Sequence, residues 1–377
     1  MPADAASSRP TELSVFVCGD VMTGRGIDQI LAHPGDARIF EDYAQSALHY
    51  VELAQQSSGT IPRPVDFAYI WGDALSELDR LAPDARIVNL ETAVTTAAQP
   101  WPGKGVHYRM HPRNIGCLLA ARIDCCVLAN NHVLDWGQSG LRQTLESLRS
   151  EGLKTAGAGE DARLATAPAR IDTRAGTVLV FGYAGPDCGV PEPWAAGTHH
   201  PGIALLPDYS ENTLASIAQR IRAAKGPGDI VVASIHWGGN WGYAVPDAHR
   251  KFAHGLIDSA GVDLVHGHSS HHAKGIEVYR ERLILYGCGD LINDYEGIGD
   301  VGPYRSDLAL LYLVRFERAQ GRVLSLLMTP LQIHQMQLRR AQPADCDWLL
   351  GMLNEEGTSL GTRFESTPDG IALCHPK

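Results

Sequence analysis

Six apolar runs of strand length recur along this chain, at residues 13–18, 85–90, 123–128, 177–181, 229–235 and 262–265. Five of the six stop on a residue that can ligate a metal: Asp20, Glu91, Asn131 with His132, His236, and the cluster His266-Gly267-His268-Ser269-Ser270-His271-His272. This pattern constrains the fold more than any other feature. In open α/β sheets the carboxyl ends of parallel strands share one edge, so residues remote in sequence converge on a single crevice there.

Helical patterns lie between the runs. Residues 138–150 carry Leu141, Leu145 and Leu148 at helical spacing, and residues 211–224 carry Leu214, Ile217, Ala218 and Ile221. Residues 246–260 begin with Pro246 and end before Gly261, a start and a stop for a helix. Strands alternating with helices predict a sheet covered by helices. The later runs, 276–279, 283–286, 308–316 and 323–329, are closely spaced and are expected to form a second, more antiparallel sheet. Residues 345–355 read as a helix. The expected organisation is a flexible leader over 1–12, a catalytic domain over 13–335, and a C-terminal helix and tail over 336–377 packing on the core.

An Asp, a Glu, an Asn and several histidines suit a borderline-hard divalent ion held through oxygen and imidazole. The sequence leaves Mn, Zn, Fe and Ca open, and one or two ions. The histidine pair could end at His271 or His272. Trp237, Trp241 and Tyr243 after His236, and Trp136 after His132, read as a crevice wall for a peptide side chain.

The formal net charge of −11 disfavours nucleic acid and, more weakly, a polyglutamate chain. No apolar run reaches the ~20 residues that span a bilayer, and residues 1–12 lack the apolar segment of a signal peptide. The expectation is a cytoplasmic protein with a peptide or small-molecule substrate, no nucleic acid and no membrane. The 8 cysteines include no C-x-x-C pair and are expected to be reduced and mostly buried. A nucleophilic Cys288 has no support.

Gly19-Asp20-Val21-Met22-Thr23-Gly24-Arg25, Asn89-Leu90-Glu91, Asn130-Asn131-His132 with Asp135 and Gly137, Ser234-x-His236-Trp237-Gly238 and Gly267-His268-x-x-His271 resemble, as a set, the capsule-biosynthesis CapA family. The resemblance implies the α/β/β/α two-sheet sandwich of calcineurin-like metallophosphoesterases, with a two-metal crevice. By it, Asp20 would hold the first metal, Glu91 would bridge both, Asn131 and His236 would hold the second, and His268 and His271 would give one imidazole to each. His132 would be the acid/base group, with Asp135 orienting it. Arg25, Trp237, Trp241 and Asp290 would face substrate. One departure stands out. Met22 occupies the place where the phosphoesterases carry a histidine, so the first site is expected to be weaker, more open or differently occupied.

Such a site supports hydrolysis or proton transfer at carbon. The leading expectation is Cα epimerisation of a residue in a ribosomal, lasso-type precursor peptide, as in soluble CapA-like enzymes. A metal-dependent hydrolase acting on a phosphoester or an amide is the alternative, and a non-catalytic binding module the second.

Overall fold

The computed structural model describes residues 10–299 and 302–374. Of the leader expected over 1–12, residues 1–9 lie outside the described residues, and Glu12 already begins the first strand.

That strand, β1 (Glu12–Val21), runs parallel to β2 (Ala85–Leu90), which in turn pairs in parallel with β3 (Cys125–Val127). These form one half of the first sheet. The second sheet is centred on the parallel strands β4 (Thr177–Ala184), β5 (Ile230–His236) and β6 (Leu264–His268). A short strand, β7 (Asp290–Ile292), returns to the first sheet and pairs in parallel with β1.

Residue alternation explains the layering. On β1, Leu13, Val15 and Val17 point one way and Phe16 and Cys18 the other, as the two-residue period of a strand requires. The first group joins Ile87, Val127, Val178, Val180, Ile230, Val232 and Leu264 in a core between the two sheets. Phe16 and Cys18 face the helices outside the first sheet, with Val51, Leu78, Leu141 and Leu145. Leu179, Phe181, Val231 and Ala233 face helices Glu211–Ala224 and Asp247–Ala260 through Ile217, Ile221, Phe252 and Leu256. The result is a four-layer α/β/β/α sandwich. Each buried Val, Leu or Ile contributes about 1.5–3 kcal/mol relative to exposure.

The later strands do not form a sheet of their own, contrary to expectation. Ile276–Tyr279 and Arg282–Leu285 extend the second sheet beside β6, whereas Leu308–Glu317 pairs antiparallel with β1 and carries Arg322–Ile333 on its other side. Both sheets therefore have parallel centres and antiparallel flanks. Each hairpin covers the free edge of a parallel strand instead of starting a third layer, which leaves fewer backbone donors unpaired. Helix Pro343–Thr358 closes the inter-sheet core with Leu349, Met352 and Leu353, while Leu338–Arg340, Phe364–Thr367 and Gly370–Leu373 add strands to the first sheet.

Among the described residues no helix is long and apolar enough to cross a membrane.

Candidate metal centre

The parallel register aligns the strand ends. Asp20 is the Cα partner of both Asn89 and Asp290, and His236 is the partner of His268. The backbones of β1 and β7 approach so closely that the Asp20 amide donates to the Gly289 carbonyl at 2.9 Å. A Cβ at Gly19 would meet that oxygen at 1.6 Å, which is why a glycine precedes the aspartate.

Two groups of donors meet at Asp20. Asp20, His236 and His268 form one, and Asp20, His271 and Asp290 the other, with the donor atoms of each group within 4.8 Å of one another. All five side chains are buried. Asp290, expected to face substrate, instead stands among the ligating groups, with its Oδ1 2.8 Å from His271 Nδ1. Met22 turns into the core and is fully buried. Met22 offers no donor there, and Asp290 on the neighbouring strand is grouped with Asp20 and His271 as a possible donor.

A chain of hydrogen bonds sets the His268 tautomer. His266 Nε2 donates to the Cys18 carbonyl at 2.7 Å, so its Nδ1 accepts from Ser234 Oγ at 3.0 Å. Ser234 Oγ can then accept from His268 Nε2 at 2.9 Å. The His268 Nδ1 lone pair is thereby aimed at His236 Nδ1, 2.9 Å away, and at Asp20 Oδ1, 3.8 Å away. His272 is occupied elsewhere: its Nε2 accepts from the Gly242 amide and its Nδ1 faces the Ala273 carbonyl. Of the four clustered histidines, His268 and His271 face the site, and His266 and His272 brace it.

The electrostatics fit a cation. Burial, followed by the charge of Asp290, pushes Asp20 up to about 7. Burial and then Asp20 push Glu91 well above the carboxylate range, and burial pushes His236 and His268 well below the imidazole range. Buried carboxylates beside imidazoles held neutral, with His271 raised by Asp290 and Asp20 against its burial, are the donor chemistry of a cation site. Two buried atoms support this, since Asn131 Oδ1 and His236 Nε2 have no hydrogen-bond partner among the described residues. Both belong to residues the resemblance assigns to the second metal. Glu91 lies between the two halves, with Oε1 3.8 Å from His132 Nε2 and Oε2 3.9 Å from His236 Nδ1. Asn89 braces both acids, donating from Nδ2 to Asp20 at 2.7 Å and to Glu91 at 3.3 Å. Asn130 is structural: its Oδ1 accepts from the amides of His132 and Val133.

Above the donors opens a cleft of about 310 Å³ lined by Arg25, Lys104, Tyr108, Asn131, His132, Trp241, His271 and Tyr295, among others. His132 Nδ1 is 2.7 Å from Asp135 Oδ2, which leaves Nε2 toward Glu91 and the cleft. Burial, and then Lys104, hold the His132 imidazole down at about 4. Lys104 Nζ lies 2.5 Å from Asp135 Oδ1 and 2.9 Å from His132 Nδ1. Sequence reasoning missed Lys104, because it sits in an irregular segment with no periodicity to mark it. The metal-facing place of Asp290 did have a signal, since Gly289-Asp290 repeats Gly19-Asp20.

The substrate-facing expectations divide. Trp241 lines the cleft, is 38% exposed, and meets the His271 ring edge-on at 5.5 Å. Trp237 does not line it. It is buried in the second sheet's helix-facing core, stacked on His249 at 4.7 Å, with Nε1 donating to the Tyr286 carbonyl. The strand alternation that points His236 at the site turns its neighbour away. Trp136 is likewise buried, donating to the Tyr108 carbonyl. Arg25 lines the cleft but is already spoken for: Asp294 accepts from its Nε at 2.8 Å and its Nη2 at 2.5 Å, Glu41 from its Nη1 at 3.1 Å. All eight cysteines are free, and Cys288 is buried with its thiol pushed well above the ordinary range by burial, which disfavours the thiolate.

A four-layer α/β/β/α sandwich whose strand ends bring together two groups of possible metal donors sharing one carboxylate defines an α/β protein with a candidate metal centre. Residues 14–295 match the family model described as bacterial capsule synthesis protein PGA_cap. The chain belongs to that family. It is 44% identical over 372 residues, covering 98% of both chains, to a probable polyglutamine synthesis accessory protein of Mycobacterium tuberculosis. It is 26% identical to the PGA biosynthesis protein CapA of Bacillus subtilis, over 75% of this chain and 63% of that one. A structure titled as a novel phosphatase from Mycoplasma pneumoniae aligns over 85% of this chain and 93% of its own, with a TM-score of 0.48 and 12% identity.

Proposed function

We propose that this protein is a metal-dependent hydrolase that cleaves an amide link in a glutamyl- or glutaminyl-type chain. The observation that carries the reading is the pair of donor groups meeting at Asp20 on the floor of a cleft into which His132 projects. A divalent cation held by Asp20, His271 and Asp290, or by Asp20, His236 and His268 with Asn131, supplies polarisation of an acyl oxygen and acidification of water.

The chain's own residues do the rest. His132, neutral at pH 7 and oriented by Asp135, takes a proton at Nε2 and returns it to the leaving nitrogen. Lys104 holds Asp135 charged, so that the imidazole keeps its tautomer. Trp241 provides an apolar wall at the mouth. The names of the relatives concern synthesis of amide-linked polymers and capsule, which favours an amide in such a chain over the peptide Cα chemistry expected from the sequence. A net charge of −11 disfavours a polyanion only at long range; with Arg25 and Lys104 paired to carboxylates, bound cations would set the local field of the cleft.

The test is incubation of metal-loaded protein with poly-γ-glutamate, oligoglutamine and a model phosphoester in deuterated water. New amino termini without deuterium at Cα support the proposal. Phosphate release alone moves the reaction to phosphoesters. Deuterium at Cα without cleavage replaces hydrolysis by epimerisation.

A further inference from the structure

A chamber of about 280 Å³ adjoins the metal cleft, and the two share Tyr295, Ile298 and Ser306. Apart from Gly297, Ile298 and Ile333, every residue lining it carries a polar side chain. Glu296 and Asp307 stand in this wall, and no Lys or Arg among the described residues does. Arg305, beside Asp307, is already spent: its Nε and Nη2 bond Asp307 at 2.8 Å each, and its Nη2 also reaches Asp345 at 2.7 Å. Burial works against charge on Asp307, but the bonds from Arg305 and Gln332 outweigh it and hold the carboxyl below the usual range. Glu296 accepts one bond on each oxygen, from the Gln335 and Met336 amides, so each oxygen keeps a lone pair. The same wall holds uncommitted polar groups. Ser57 Oγ, Ser306 Oγ and the His334 ring nitrogens make no hydrogen bond among the described residues, and none of them is sealed from solvent. Asn293, also in the wall, donates to Asp290 Oδ2 at 2.7 Å, so the candidate metal centre begins directly behind it.

We propose that this chamber is a subsite for a residue beside the scissile amide, and that it selects a neutral carboxamide side chain, glutaminyl over glutamyl. The proposal rests on the hydrolase reading of the adjoining cleft. A primary amide brings two N–H donors for the free lone pairs of Glu296 and Asp307, and a carbonyl for a serine or His334 donor. A carboxylate brings acceptors only. It also adds a third negative charge beside two others, in a wall without a free cation. A lysyl side chain answers the two carboxylates, but it stands close to Arg305 and, once the centre is loaded, to the charge behind Asn293. The neutral amide meets neither repulsion.

The test is calorimetric titration of the full His132→Ala chain, loaded with Mn²⁺ so that it binds without turnover, with acetyl-capped tetraglutamine, tetraglutamate and tetralysine amides. Tetraglutamine is expected to bind at least about tenfold more tightly than either of the others. Bound Mn²⁺ attracts carboxylates, so a preference for tetraglutamine over tetraglutamate has to come from the protein. Ser57→Lys, at an exposed position in the last turn of helix Leu48–Ser58, and Ser306→Lys each add a cation to the wall. Each should narrow the gap between tetraglutamine and tetraglutamate several-fold. Melting curves establish that both variants are folded, and Ser57, being exposed, gives one in which folding is not at stake. The proposal is overturned if tetraglutamine shows no saturable heat, if either other peptide binds as tightly, or if neither lysine variant moves the gap. Cleavage of tetraglutamine by the wild-type chain is measured separately. The binding preference without cleavage keeps the subsite and removes the hydrolase reading; cleavage without the preference does the reverse.

Discussion

Asp20 and Asp290 stand opposite each other as Cα partners on adjacent parallel strands, although 270 positions separate them in the sequence. Burial, and then the repulsion between the two carboxylates, raises Asp20 to about 7. A cation between them converts the repulsion into attraction. Asp290 is therefore a candidate metal ligand beside Asp20.

Asp290→Asn should lower bound metal and reduce turnover on order of 10²-fold while leaving the melt near that of wild type. Elemental analysis beside a kinetic assay checks both. Unchanged metal content with unchanged turnover returns Asp290 to the substrate edge.

Ser234→Ala removes the hydroxyl that links His266 to His268. Without it the His268 lone pair is no longer committed to Nδ1. Metal affinity should fall about tenfold, from the outer-sphere position of the serine. Competition titration with a coloured chelator measures it, and an affinity equal to wild type defeats the tautomer argument.

His132→Ala should cost roughly 10²–10⁴-fold in turnover with metal content and folding retained. Steady-state kinetics at saturating metal, together with a circular-dichroism melt, provide the reading. Full activity in this variant removes His132 from the chemistry.

Chelation should lower the melting temperature, because three buried carboxylates, Asp20, Glu91 and Asp290, then share a space in which the His271 imidazole, 2.8 Å from Asp290, stands in for the lost positive charge. Re-addition of ion at about 100 times its Kd restores roughly 2.7 kcal/mol. Scanning calorimetry with and without EDTA, then with Mn²⁺ or Zn²⁺, tests this, and a melt insensitive to all three argues against a resident cation.

Asp187 gives a pH dependence away from the metal site. Burial alone raises its carboxyl, but hydrogen bonds from His249, Tyr209 and the Gly238 amide outweigh it and hold the group well below the usual carboxylate range. A depressed folded-state value means the unfolded chain takes the proton first. The stabilisation is thus present above the ordinary carboxylate range and is lost as pH falls through the folded value. Asp187→Asn should melt below wild type at pH 7, by an amount that partial exposure keeps small, and the gap should narrow as the pH is lowered past the ordinary range. A gap constant with pH contradicts this.

Strand positions were legible in the sequence wherever one local pattern sufficed. The runs ending at Asp20, Glu91, His236 and His268 became β1, β2, β5 and β6 with shifts of a few residues, because a strand with both faces covered reads as an unbroken apolar run. Helix Asp247–Ala260 ends where Gly261 takes φ 68°, as its residue type foretold. The later hairpins were misplaced because period-two patterning marks a strand and says nothing about which edge it will cover.

By itself, then, the sequence determined the strands and the metal-competent chemistry at their carboxyl ends, since both follow from residue type and local alternation. Tertiary structure decided that Asp290 joins Asp20, that His268 and His271 face the cleft while His266 and His272 brace it, that Lys104 reaches Asp135, and that Trp237 turns inward. Each of these depends on register between segments far apart in the chain, and a shift of one residue in a strand sends a side chain to the opposite face.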